Sequence, residues 1–191
     1  MKAFAKRNSD KTIRLFFIGL AIAIFGMFSY NAFAKTTAEI DADANSTLKR
    51  FYNEVNGAEE FTSSAKALLV MSGVTKAGLV VGGTYGQGAL QIGGKTVGYY
   101  NLIGGSAGFT FGAEQMDIII AFMTEEALNQ FKNIDGWEAG VTANVVVMDV
   151  GGGKRLDTTS LKDAVVAFVF DAKGLIVDLS LKGAKFTKIK D

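Results

Sequence analysis

The sequence predicts an α+β fold: a strongly curved, glycine-rich antiparallel sheet or partial barrel, with N-terminal helices and one helix inserted near 124–133. Three observations predict it. Apolar residues recur at helical spacing up to about residue 69 and alternate with a period of two beyond residue 77. Glycine occurs 23 times and proline never, which favours close backbone packing or coiled strands over a flexible linker. Turn-like segments separate consecutive strand-like runs, as hairpins require.

The chain begins with a basic stretch (Lys2, Lys6, Arg7, Lys11, Arg14) followed by the apolar run Leu15 to Tyr30 and by Ala32-Phe33-Ala34. This is the three-part pattern of a signal peptide over 1–34, cleaved after Ala34. The apolar core is shorter than the ~20 residues that span a bilayer; an uncleaved membrane anchor is the alternative. Residues 35–45 read as a polar leader, and 46–191 as a single domain. Leu48, Phe51, Tyr52 and Val55 form a helical stripe, with Ser46 or Asn45 as N-cap and Gly57 as stop. Phe61, Ala65, Leu68 and Leu69 form a second stripe.

In the run 77–94, Gly78, Gly82, Gly86 and Gly88 share one strand face, and Gly104, Gly108 and Gly112 repeat the device. Glycines repeated on one face let another backbone or a ring approach closely, so Gly82→Val and Gly108→Val should overpack. A strand over 114–122 leads into a helix with Thr124 as N-cap, Glu125 and Glu126 in its first turn, and Leu128 and Phe131 facing inward. Trp137 to Val147 alternates as one half-buried strand. Residues 151–160 read as a polar loop and Ala164 to Phe170 as a central strand. Asp171 to Gly174 reads as a hairpin turn, Leu175 to Leu181 as the next strand, and 184–190 as a basic edge strand.

Composition narrows the chemistry. The chain has no Cys and no His, which removes disulfides, thiolate chemistry, a lipid-modified cysteine and the commonest general base and metal ligand. The whole chain is +1, with 20 Lys+Arg and 19 Asp+Glu. Removing five cations and one acid with residues 1–34 leaves 15 against 18, or −3, so no nucleic-acid footprint is expected. GGGKR at 151–155 has Met148 and Arg155 at the defining positions of a phosphate loop, and GTYGQG at 83–88 lies inside a strand. Ser106 and Ser180 have no histidine to activate them, and DADAN at 41–45 is too short for a calcium loop. The protein reads as a non-enzyme with no cofactor and no metal.

The segments 65–90 (AKALLVMSGVTKAGLVVGGTYGQGAL), 93–114, 122–131, 136–151 and 167–189 stand in an order that resembles the SYLF domain, from about Phe51 to the end of the chain. Ser72 departs from it, standing where relatives often carry proline, and no SH3 or FYVE module accompanies the domain. The resemblance implies lipid binding, with phosphoinositides the ligands of eukaryotic members. For an exported chain, periplasmic or secreted, it implies an anionic phospholipid or membrane surface, and actin is not expected as a partner. A structural envelope protein that binds another envelope protein, or itself, is the alternative. Lys66, Lys76 and Lys95 flank the glycine-rich aromatic segments as a candidate cationic rim, beside Tyr99 and Tyr100, whose rings combine an apolar body with a polar tip. Solvated lysines and core tyrosines are the plainer reading of the same five residues.

Overall fold

The structure is a computed structural model that describes residues 35–78, 81–107, 112–150, 162–173 and 181–190. The signal-peptide reading of 1–34, the loop at 151–160, Gly108, and the turn and strand expected over 174–180 lie outside these residues.

Helix α1 runs Thr37–Glu54 and begins where the sequence suggested a polar leader. Its N-cap is Thr36 rather than Asn45 or Ser46. The Thr36 hydroxyl accepts from the Glu39 amide at 3.3 Å, and the Glu39 carboxylate accepts from the Thr36 amide at 2.7 Å. This reciprocal cap satisfies two amides that a helix start otherwise leaves open. The buried stripe of the helix is Ile40, Ala44, Thr47 and Phe51. Gly57 (φ +84°) does not end α1 but caps the short α2, Ala58–Ser63. Phe61 belongs to α2, whereas Leu68 and Leu69 already lie in the first strand.

Among the described residues eight strands follow: β1 Ala67–Gly78, β2 Val81–Ile92, β3 Lys95–Ala107, β4 Gly112–Phe122, then helix α3 Glu125–Asn133, β5 Trp137–Glu138, β6 Val146–Asp149, β7 Val165–Lys173 and β8 Lys185–Lys188. They form one curled half-barrel sheet in the order β5-β8-β3-β2-β1-β4-β7-β6. The α+β prediction holds. Helix α3 starts as expected, with the Thr124 hydroxyl accepting from the Ala127 amide, and it buries Leu128 and Phe131.

Several elements differ from the sequence expectation. The run 77–94 is not one strand, because Gly78 pairs with Gly82 across the β1–β2 hairpin. The stretch Trp137 to Val147 is broken by a turn in which Gly140 adopts φ +75° and donates to the Ala143 carbonyl. Asp171 to Lys173 stay in β7, although Asp171 takes φ +47°. The pair β6–β7 is parallel, so the sheet is not wholly antiparallel. The basic segment β8 lies between β3 and β5 and is not an edge. Lys185 points away from Phe186, whose burial against Trp137 accounts for the interior position.

Each face of the sheet carries its own core. Under α1 and α2 pack Val70, Ala89, Ile119, Phe168 and Phe170, with Phe51 5.2 Å from Phe170. The other face buries Leu69, Met71, Leu90, Tyr100 and Phe122 against Phe131 of α3 and Trp137. Glycine is required where β2 runs tightly against the bulged strand β1. A Cβ on Gly88 would lie 2.2 Å from the Val70 carbonyl oxygen, and one on Gly86 would lie 2.8 Å from a Val74 methyl. The close approach expected of the glycine face is found at these two positions, but it comes from the neighbouring strand β1 and not from a helix or an aromatic ring.

Candidate functional site

The five residues singled out from sequence are not brought together. Lys66 precedes β1 and Lys95 opens β3, at one end of the sheet, and both are exposed. Lys76 lies ten residues further along, about 30 Å at strand rise, and is only 8% exposed. It stands opposite Glu114 in the β1–β4 ladder, and Glu114 is itself buried, with one carboxylate oxygen unpartnered. Tyr99 and Tyr100 point to opposite faces of β3. The Tyr99 hydroxyl donates to Asp41 at 2.8 Å, and Thr96 donates to the other Asp41 oxygen at 2.7 Å, fastening α1 to the sheet. Tyr100 is a core residue, its ring 4.7 Å from that of Phe131, and burial pushes its phenol pKa up.

Among the described residues Tyr85, Val97, Ile103, Ile134 and Val141 are the exposed large hydrophobics, and two of them stand side by side on the α1 face beyond the N-terminus of that helix. Tyr85 and Ile103 are register partners in β2 and β3 and are 46% and 55% exposed. Directly opposed residues of neighbouring strands point the same way. The row through them can therefore be followed across the sheet: Glu138, Lys185, Ile103, Tyr85, Thr75, Gln115 and Lys173. Lysines thus stand near both ends of a row whose middle is aromatic and aliphatic.

One row closer to the helix, the face becomes polar. The Lys35 amide donates to Gln87, and Gln87 donates to Asn101. Beside them, between α1, the β1 bulge at Gly73 and the β4–β7 irregularity at Asp171, opens a polar cleft of about 260 Å³. Arg50 of α1 spans it, donating to Asp117 and Asp171 at 2.5 Å each. Burial works against the Arg50 charge, but Asp117 and then Asp171 outweigh it and hold the guanidinium pKa above its ordinary value. Asp117 also accepts from the Gly73 amide at 2.7 Å. At the mouth, Lys35 pairs with Asp43 at 2.6 Å, and Lys173 lies 3.6 Å from Asp171. Gln115 and Lys173 belong both to this lining and to the exposed row.

Sequence reasoning missed this site for identifiable reasons. Arg50 and Asp171 are 121 positions apart, and neither sits in a motif. The one local signal was Gly73, which adopts φ +65° at the bulge and turns its amide toward Asp117. Among the described residues no group of three or more acids could hold a metal ion, and no helix is long and apolar enough to cross a membrane.

Residues 103–191 match the model of a family described as "Ysc84: Las17-binding protein actin regulator". No curated protein matches the chain. The match begins inside β3 and runs to the last residue. The strands β1 and β2 lie between β3 and β4 in the sheet, so the matched segment completes its sheet only with the two strands that precede it.

Proposed function

Because residues 103–191 carry the Ysc84, or SYLF, domain, we propose that this chain is an exported, non-catalytic lipid-binding protein that meets anionic bilayers with the α1 face of its sheet. The observation that carries this reading is the exposed Tyr85–Ile103 pair with Lys185 and Lys173 near the two ends of the same row. An exposed apolar patch bordered by cations fits a membrane surface: the rings and aliphatic carbons enter the interface, while ammonium groups meet anionic headgroups. Tyr85 suits that depth, since its hydroxyl stays wet while its ring is buried. Lys66 and Lys95, exposed at one end of the sheet, add outlying positive charge.

Two considerations favour this over the structural-protein alternative. Among the described residues the sheet ends on β5, with two residues, and β6, with four, and both are short templates for strand addition, although β8 pairs with only Tyr100–Ile103 of β3. The matched family's name ties its members to Las17 binding and actin regulation; for a chain exported by the basic–apolar–Ala32-Phe33-Ala34 pattern, a lipid of the envelope is the accessible ligand.

Flotation with vesicles containing phosphatidylglycerol tests the reading. The wild-type protein should float, and the double variant Tyr85→Ser, Ile103→Ser should remain at the bottom with an unchanged circular dichroism spectrum. Equal flotation of the two would sink the assignment of this face. Export is tested separately by the intact mass of the secreted form, expected to begin at Lys35.

A further inference from the structure

We infer that the cleft spanned by Arg50 is a headgroup site for a zwitterion, a phosphate ester carrying a primary ammonium, as in phosphoethanolamine. Its lining side chains carry balanced charges, with Lys35, Arg50 and Lys173 against Asp43, Asp117 and Asp171; cleavage after Ala34 adds the Lys35 α-ammonium to the cationic set. A bare anion would meet three carboxylates and a bare cation three cationic side chains. A ligand with both charges a few ångströms apart can satisfy both sets.

The second observation is Ser72. It is 8% exposed, lines the cleft, and its hydroxyl has no hydrogen-bond partner. Two charged groups of the cleft are already committed: both Asp117 oxygens accept, from Arg50 and from the Gly73 amide, and both terminal Arg50 nitrogens donate. A buried hydroxyl without a partner, facing a polar cleft, is a group placed to donate to a ligand oxygen. The phosphate would lie between Ser72 and the Lys173 ammonium, which is 71% exposed. The ligand ammonium would meet Asp171, of which one oxygen already serves Arg50 and Lys173. At about 260 Å³ the cleft falls below the size that encloses a drug-sized molecule, so it suits a headgroup and not an acyl chain. Because Gln115 and Lys173 also belong to the exposed row, the cleft sits at headgroup depth when that row rests on a bilayer; to this extent the inference rests on the proposed membrane contact.

Titration calorimetry of the full chain in mild non-ionic detergent, with O-phosphoethanolamine, inorganic phosphate and ethanolamine, reads the site. The zwitterion should bind at least about tenfold more tightly than either half alone. Ser72→Ala and Lys173→Gln should each weaken it about tenfold, the loss of one good hydrogen bond or ion pair, with melting temperatures unchanged. Equal affinity for inorganic phosphate, or no binding of the zwitterion, overturns the inference. Displacement of bound O-phosphoethanolamine by phosphatidylethanolamine vesicles, but not by phosphatidylcholine vesicles, identifies the lipid as the source. Binding without displacement supports the same chemistry with a soluble ester as the source. The two readings fail separately: Ser72→Ala should still float with phosphatidylglycerol vesicles, and the Tyr85→Ser, Ile103→Ser variant should still bind O-phosphoethanolamine.

Discussion

Arg50 of α1 donates to Asp117 of β4 at 2.5 Å, and this contact fixes where the N-terminal helix lies along the sheet. Asp117 is nearly buried, with 6% of its side chain exposed, while Arg50 keeps 37%. The carboxylate is doubly held, since its other oxygen accepts from the Gly73 amide. Gly73 can present that amide because β1 bulges there, its ladders shifting register between Ser72 and Thr75 on one side and between Met71 and Val74 on the other.

Arg50→Ala should therefore destabilise the fold by about 2 kcal/mol. Removing one partner of a fully buried pair costs ~3–5 kcal/mol, and the partial exposure of Arg50 lowers that figure. Arg50→Lys should recover less than half, because a single ammonium cannot reach both Asp117 and Asp171 with the guanidinium's geometry. Urea denaturation measures both variants; an Arg50→Ala midpoint equal to wild type would show the pair to be incidental.

Gly88→Ala should be the most damaging glycine replacement among the described strands. The added methyl would lie 2.2 Å from the Val70 carbonyl oxygen and 2.9 Å from the Met71 Cα, and backbone cannot yield as a side chain can. Overpacking of this kind costs ~1–3 kcal/mol. Gly105→Ala, where nothing lies within 4 Å of the added carbon, should be neutral. Comparable melting temperatures for the two variants would refute the close-packing account.

The fold was legible where periodicity and caps are local, and it was missed where distance or small residues carry the signal. Thr124 before Glu125 and Glu126 identified α3, because an N-cap declares itself within four residues. The first half of α1 stayed hidden because its buried face is built from Ala44 and Thr47 around a single large residue, Ile40, which carries little hydrophobic contrast. The hairpin at 78–82 was concealed because the glycines continue through it in step with the strand period. The lysines of β8 suggested an edge, but pairing of Trp137–Glu138 with Phe186 and Lys185 covers that side. For the site, Tyr85 was visible only as one face of an alternating strand. That its neighbour would be Ile103, and that α1 would stop short of covering both, depends on the register of four strands and the capping of a helix.

Tyr100 supplies a pH prediction. Burial raises its pKa above the ordinary value of 10.0, so the folded state keeps the phenol neutral where the unfolded chain would ionise it. The stability from this group is fully present below pH 10 and is lost as pH rises through the folded-state pKa. Tyr100→Phe keeps the ring against Phe131 and removes the ionisable group. Its stability should fall less between pH 9 and about pH 11 than that of the wild type, as chemical denaturation at each pH would show. Parallel curves would mean that Tyr100 is not the group responsible.

Salt dependence separates two sets of lysines. If the exposed row faces the bilayer, Lys173 and Lys185 each contribute about 1 kcal/mol of attraction to an anionic surface. The double variant Lys173→Gln, Lys185→Gln should then bind phosphatidylglycerol vesicles roughly 30-fold more weakly at low salt. Lys66→Gln with Lys95→Gln should change binding by less than about threefold, because those side chains stand at one end of the sheet, away from the Tyr85–Ile103 pair. Raising the salt shortens the Debye length from ~10 Å at 0.1 M to ~3 Å at 1 M, so wild-type binding should fall toward that of the Lys173/Lys185 variant. It should not vanish, since the apolar contribution of Tyr85 and Ile103 is insensitive to screening. Vesicle sedimentation across a salt series measures all of this. Should the Lys66/Lys95 variant lose as much binding as the Lys173/Lys185 variant, the membrane contact would lie at the end of the sheet and not on the row.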